Sequence, residues 1–408
     1  PSLSGRDPLG HILFLKHERP ELYARTAVFL EPVDWLGLKL TGRAAATSAS
    51  ATLHWVTDTR DLSRLDYDEG LLRLAGLERA KLPELLPASA PLGKTTVAAA
   101  ADLGIAADLP VVAGSPDTMS AAVGSGAVDD HAGHLYVGTS SWISCHVPNK
   151  RTDPLHSIAS LPAALPGRYI VSCEQQTAGA SIERLRSALF PTQRERAGDT
   201  TSASDADAAA HATEVEVGYE RLEQLAAAAP PGAGGVIFTP WLNGERTPVD
   251  DHLVRGGLFN LSLGTSQEQV ARAVFEGVAL NARWMARYVD RFGKRTLTPL
   301  AFIGGGARSA LWCQIMADVL GREIHQIADP VLAGVRGAAL LAGLSLGELG
   351  RDELHGRAQV AAVYRPDPAT VATYDELSTA FVSIYKANKG LYARLNRGAA
   401  GALGQETG

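Results

Sequence analysis

The stretch Ala113-Gly-Ser-Pro-Asp-Thr-Met-Ser-Ala-Ala-Val-Gly-Ser-Gly126 constrains this chain more than any other segment. The apolar run Leu109 to Ala113 reads as a strand, and Gly114-Ser115-Pro116 turns it into a helix of small residues. Pro116 then falls near the first helical turn, where its missing N–H costs nothing, and Asp117 falls where the helix dipole favours an ionised carboxylate. A strand leading into a helix this way aims the acid off the end of a sheet, which is where open α/β folds bind ligands. Asp117 is therefore a candidate base; the same residue is also an ordinary helix cap, and the segment alone leaves both readings open.

A chain of 408 residues exceeds one ordinary core, so two domains are expected. Its 46% hydrophobic and 20% charged residues fit a globular protein, while a net charge of -6 and a pI near 6.0 argue against a nucleic-acid or anionic-membrane surface. Cys145, Cys173 and Cys313 have neither pairing nor metal-ligand spacing, which fits a reducing cytoplasm. No segment resembles a signal peptide, and the apolar region Ala333 to Gly347 is interrupted by Arg336 and several glycines, so a membrane span is not expected. The first residue is Pro1, and Pro1 to Gly10 carries no strand or nucleotide-binding signal, as though the chain began partway through a domain.

Apolar spacing predicts a helical region from His11 to Gly42, divided by Pro20 and Pro32, and a further helix over Leu71 to Leu86. Short strands follow at His134 to Val137, Ser141 to Val147 and Tyr169 to Cys173, then a helix at Ala180 to Phe190. Gln193 to Glu214 lacks periodicity and reads as an exposed insertion outside any site. Helices are predicted over Tyr219 to Ala228, Gln267 to Phe292, Ser309 to Leu320 and Tyr374 to Arg397, with strands at Val236 to Thr239 and Pro299 to Ile303.

Three further segments carry chemistry. Gly138-Thr-Ser-Ser141 follows a strand and offers closely spaced backbone N–H groups and hydroxyls, which suits either a phosphate nest or an ordinary hairpin turn. Gly304-Gly-Gly-Ala-Arg308 joins a strand to a helix, yet it has neither the Gly-x-Gly-x-x-Gly spacing nor a Walker ending. Gly244-Glu-Arg-Thr-Pro248 reads, by its chemistry alone, as a polar structural loop. The histidines are dispersed, and no Gly-x-Ser-x-Gly elbow surrounds Ser140 or Ser141, which disfavours a serine hydrolase.

In order, these segments resemble the carbohydrate kinase family named for its Phe-Gly-Gly-Tyr motif, over nearly the whole chain. The second family signature is matched by Gly256-Gly-Leu-Phe-Asn-Leu261, a gap, and Gln269-Val-Ala-Arg-Ala-Val-Phe-Glu276, with Asn260 where the family has glycine. Gly244 to Pro248 is similar to the xylulokinase branch, and Gly304 to Trp312 to the adenosine-binding segment. The resemblance implies an α/β, ribonuclease H-like or actin-like ATPase fold with two domains around a cleft: residues 1–112 as the remainder of the N-terminal sugar-binding domain and 113–408 as the C-terminal ATP-binding domain. It implies Asp117 as catalytic base, with Thr118 beside it at the sugar. It implies Gly138, Thr139, Ser140, Gly179, Glu183, Gly305, Gly306 and Ala310 along the nucleotide, and ATP with Mg2+ as cofactors. A sugar is the expected partner, nucleic acid and membrane are not, and a homodimer is the default.

Two departures qualify this. The family's opening phosphate hairpin and sugar-reading segment have no counterpart here, and His11 and Phe14 stand where the first signature has lysine and tryptophan. Residues His11 to Val112 would then be helices on an incomplete sheet, and the chain by itself is expected to show little or no kinase activity. A non-catalytic nucleotide-binding member of the same superfamily is the alternative.

Overall fold

Proline sets the starts of the first three helices. Pro8, Pro20 and Pro32 begin α1 (Pro8–Glu18), α2 (Pro20–Arg25) and α3 (Pro32–Thr41), and Gly42, at φ 77°, ends the third in the left-handed conformation. The computed structural model describes residues 7–88, 90–192, 194–195 and 205–397. After α3 come β1 (Ala45–Thr47), α4 (Glu69–Ala75), β2 (Glu84–Leu86), β3 (Pro91–Lys94), α5 (Val97–Leu103) and β4 (Pro110–Val112). The strands form two two-stranded sheets, β1 with β2 in parallel and β3 with β4 antiparallel.

The single helix expected over Leu71 to Leu86 does not form. Gly76, at φ 63°, turns its N–H back to the carbonyls of Leu72 and Arg73 and ends α4, and the chain continues through a 3-10 turn into β2. A glycine free to adopt the left-handed conformation outweighs the apolar spacing on either side of it.

The remaining elements are α6 (Asp117–Gly124), β5 (Gly133–Val137), β6 (Ser141–Val147), β7 (Thr152–Asp153), β8 (Ile158–Pro162), β9 (Tyr169–Ser172) and α7 (Gly179–Leu189). They continue with α8 (Asp205–Ala228), β10 (Ile237–Thr239), β11 (Gly257–Phe259), α9 (Gln267–Gly293), β12 (Leu300–Ile303) and α10 (Ala310–Leu320). The chain ends through β13 (Ile324–Ile327), α11 (Ala333–Ser345), β14 (Val360–Tyr364) and α12 (Val371–Asn396). Eight strands form one sheet in the order β14-β13-β12-β5-β6-β9-β8-β7. Strands β5, β12 and β13 run parallel, so the turns after β5 and β12 leave from the same end of neighbouring strands. At two residues, β7 is too short to be read from sequence alternation.

Asp205–Glu214 belongs to α8, so the insertion expected over Gln193 to Glu214 is helical there; positions 193 and 196–204 lie outside the described residues. Glu195 is also bound, accepting from Arg186 and from the Thr192 N–H.

Helix α9 is the spine of the larger core. Ser266 and Gln269 close its start as a reciprocal capping box, and its apolar face, with Val274, Val278, Met285 and Val289, is buried. Its one buried acid, Glu276, is paired: Oε1 accepts from Arg272 Nε at 2.6 Å, the Tyr374 hydroxyl at 2.7 Å and the Gly232 N–H at 3.0 Å. Trp241 is fully buried, edge-on to Phe381 at 5.1 Å, and donates to Asn281 of α9 at 3.0 Å.

Helix α6, which carries Asp117, is seated against α11 through two glycines. A Cβ on Gly337 would lie 1.7 Å from the Ser120 carbonyl oxygen, and one on Gly124 would lie 1.8 Å from that of Ala333. Backbone touches backbone at this crossing, and Arg336 Nε donates to the Gly124 carbonyl at 2.7 Å. Among the described residues, no helix is long and apolar enough to cross a membrane.

Candidate active site

Local sequence builds the two turns. Gly138-Thr139-Ser140 joins β5 to β6 as a hairpin, closed by the Gly138 N–H on the Ser140 carbonyl at 2.9 Å. The start of α7 locks onto it: Gly179 N–H donates to the Gly138 carbonyl at 2.8 Å, and Ala178 and Ala180 donate to that of Thr139 at 2.9 and 3.2 Å. A Cβ on Gly179 would sit 2.3 Å from the Gly138 oxygen, so this approach requires glycine. After β12, Gly304 (φ 88°) passes the Val137 carbonyl so closely that a Cβ would fall 2.5 Å from it. Ser309 then caps α10 by accepting the Trp312 N–H at 3.0 Å.

Both turns open on one cavity of about 1080 Å3, whose wall includes Gly138, Thr139, Gly179, Glu183, Gly305 and Gly306. Six of the sequence-derived residues are thus brought together. Ser140 and Ala310 stand just behind that wall, the first closing the hairpin and the second opening α10. Among the described residues, the backbone N–H groups of Thr139, Ser140, Gly305 and Gly306 donate no hydrogen bond, and nothing lies within 4 Å of a Cβ position on Gly305. Free backbone donors on glycine-bearing turns suit an anion. The Trp312 indole N–H, buried in the same wall, also lacks an acceptor.

Asp117 is the first residue of α6 and is exposed, with Thr118 half-buried next to it. Its Oδ1 accepts the Thr118 N–H at 2.7 Å and the Thr118 hydroxyl at 3.3 Å, while Oδ2 makes no hydrogen bond within the described protein. One oxygen is anchored and the other is free.

Glu183 is tied to its own helix and to α8. The Arg186 guanidinium grips it with bonds of 2.7 and 2.9 Å, and the Tyr219 hydroxyl donates to it at 2.5 Å. Burial opposes its charge, but these donors outweigh burial and hold the carboxyl below the usual range. Glu183 therefore sets the wall's shape. Helix α8 supplies a face that the sequence reading did not assign to the site: Val215, Glu216, Tyr219, Glu220 and Glu223 line the cavity, and Glu223 accepts from the Ser309 hydroxyl at 2.7 Å. The spacing of Glu216, Glu220 and Glu223 on one helical face is the signal that could have found it.

The Gly244 to Pro248 loop lies behind this wall. Glu245 is buried, with Oε1 accepting the N–H groups of Gln176 and Arg246 at 2.7 and 2.8 Å and Oε2 accepting from Asn281 at 2.7 Å. It ties the strand preceding α7 to α9. Burial pushes its carboxyl up to about 8 against the pull of these three donors. The native state then holds this proton to a higher pH than the unfolded chain does, so stability is lost as pH rises from about 5 to 8. We expect the wild-type unfolding midpoint to fall relative to that of Glu245→Gln over this range, with a gap that widens with pH; a gap independent of pH would show that Glu245 ionises normally.

Glycine turns at the ends of two adjacent parallel strands, one packed against the start of α7 and the other leading through a 3-10 turn into α10, line one cavity of this α/β protein. Residues 134–346 match the C-terminal domain, and residues 4–124 the N-terminal domain, of the FGGY family of carbohydrate kinases. The chain belongs to that family, and its fold is the two-domain, actin-like ATPase fold. It is 27% identical over 399 residues to a xylulose kinase of Staphylococcus epidermidis, covering 95% of this chain and 72% of that protein. It is 29% identical over 394 residues to an autoinducer-2 kinase of Klebsiella pneumoniae, covering 93% and 69%. The structure of a gluconate kinase from Lactobacillus acidophilus superposes with a TM-score of 0.81 at 24% identity, covering 96% of this chain and 75% of that one. Relatives named xylulose kinase place the chain in the xylulokinase-like branch.

Proposed function

We propose that this protein transfers the terminal phosphoryl group of ATP to a hydroxyl of a small sugar, a pentulose such as xylulose, with Asp117 as general base. The observation that carries this reading is the Asp117 carboxylate, exposed at a helix start with Oδ1 anchored on Thr118 and Oδ2 free to accept a proton. The choice of a pentulose rests on the Gly244 to Pro248 loop and on the relatives named xylulose kinase.

ATP, when bound, supplies the phosphoryl group and its own leaving group. The chain's contribution is position and charge. Thr139, Ser140, Gly305 and Gly306 offer free N–H groups to phosphate oxygens, Gly179 lets α7 approach without a side chain, and Ala310 sits at the adenosine side. Asp117 holds the sugar hydroxyl with Thr118 and takes its proton as the oxygen attacks. Mg2+ would arrive on the nucleotide, bridging its β- and γ-phosphates. Residues 1–112 belong to the sugar side and 113–408 chiefly to the nucleotide, with Asp117 and Thr118 meeting the sugar hydroxyl from the latter. Three buried free thiols accord with a reducing cytoplasm, and a homodimer is the accompanying expectation.

A panel of ketoses and polyols, assayed with Mg2+ and ATP for sugar-dependent ADP release, tests the proposal. A pentulose is expected to give the highest kcat/KM. Nucleotide binding with no sugar-dependent ADP release on any member would favour a non-catalytic nucleotide-binding protein instead.

A further inference from the structure

One aromatic side chain links the two turns. Tyr136 is the penultimate residue of β5, opposite Ile303 of β12 on one side and Trp142 of β6 on the other. Its ring stacks on that of Trp142 at 3.8 Å and 10°, and the Trp142 indole N–H donates to His134 Nε2 at 3.0 Å, so the plane of the phenol is fixed. The ring edge lies 2.9 and 3.0 Å from where a Cβ on Gly304 would stand, and the hydroxyl lies 2.2 Å from where one on Gly138 would stand. Both glycines are needed to admit this phenol. Its oxygen therefore sits over the hairpin turn, on the path between that turn and β12.

Among the described residues this hydroxyl has no hydrogen-bond partner, although the ring is stacked on Trp142 and its edge is seated against Gly304. Burial and the charge of nearby Asp117 both raise its pKa, so it stays a protonated donor. A donor fixed in place without an acceptor, close to a carboxylate and over a turn with free N–H groups, is placed for an anion brought by a ligand.

We propose that the Tyr136 hydroxyl donates a hydrogen bond to the terminal phosphate of the bound nucleotide, next to the oxygen that Asp117 deprotonates. This rests on the reading of the Gly138–Thr139 turn as a phosphate cradle. Tyr136 then discriminates triphosphate from diphosphate, which the turn's backbone alone does not.

The test is calorimetric titration of the whole chain and of Tyr136→Phe with ADP and with the non-hydrolysable β,γ-imido analogue of ATP, both with Mg2+. Tyr136→Phe removes one oxygen and keeps the stack on Trp142; unchanged near-ultraviolet circular dichroism and melting temperature would verify that. The variant is expected to bind the triphosphate analogue about tenfold more weakly or worse, as for losing a bond to a charged group, and ADP within about twofold of wild type. Unchanged affinity for both, or an equal loss for both, would overturn the role of Tyr136 and leave the cradle intact. Failure of the unsubstituted chain to bind either nucleotide would instead overturn the cradle, and this proposal with it.

Discussion

Replacing Asp117 with asparagine is expected to lower sugar-dependent ADP release by about 10²- to 10⁴-fold, the usual contribution of a positioned general base, while nucleotide affinity stays within about twofold. The substitution separates the two readings that the sequence leaves open. Pro116 holds the cap position and Asp117 is the first residue inside α6, where an asparagine amide oxygen can still accept the Thr118 N–H that Oδ1 accepts now at 2.7 Å. If Asp117 served only the start of the helix, stability and turnover would both survive. As a base, the variant folds, binds nucleotide and fails to take the proton. Steady-state ADP release at saturating ATP and xylulose, set beside a nucleotide titration, reads both quantities; wild-type turnover in Asp117→Asn removes the residue from the mechanism.

The second large effect is expected at Gly337. Its missing side chain is what lets α6 lie against α11, since a Cβ there would stand 1.7 Å from the Ser120 oxygen and 2.8 Å from the Gly124 nitrogen. Backbone cannot rotate out of the way as a side chain can. Gly337→Val should therefore push the helices apart, at a cost of about 1–3 kcal/mol or more as for other overpacked cores. The displacement acts at the helix that carries Asp117, and a shift of about 1 Å at a reacting group can cost about 10²-fold in rate. Chemical denaturation and turnover should fall together. Gly390→Ala is the control: this exposed position within α12 has nothing within 4 Å of its Cβ, so alanine should be neutral or stabilise by up to about 1 kcal/mol. Full stability in Gly337→Val would mean that the two helices are not seated this closely.

Much of the frame was legible because punctuation and period agreed. Pro20 and Pro32 start helices, Gly42 ends one, and the apolar spacing of α9 matches its buried face. The strand, turn and helix around Asp117 could be placed because glycine and proline narrow the backbone locally, before any tertiary contact is known. What failed had both local and long-range causes. The helix over Leu71 to Leu86 broke because Gly76 found a left-handed cap, and the start of α8 was hidden because alanine-rich sequence without an apolar stripe reads equally well as a loop. The order of the eight strands follows from packing, which spacing does not encode. The cleft wall was half visible: its glycine turns announce themselves, whereas Tyr219 and Glu223 acquire meaning only once α8 meets α7 and the start of α10.

The proposed phosphoryl transfer requires the turns after β5 and β12 to hold the nucleotide's phosphates jointly. Backbone hydrogen exchange read by mass spectrometry, with and without Mg2+ and ATP, tests this without requiring turnover. The amides of Thr139, Ser140, Gly305 and Gly306, free of acceptors in the protein, should slow together when nucleotide is added, while the glycine turn at Gly232 to Gly235 stays unchanged. Protection confined to another part of the chain, or to only one of the two turns, would contradict it.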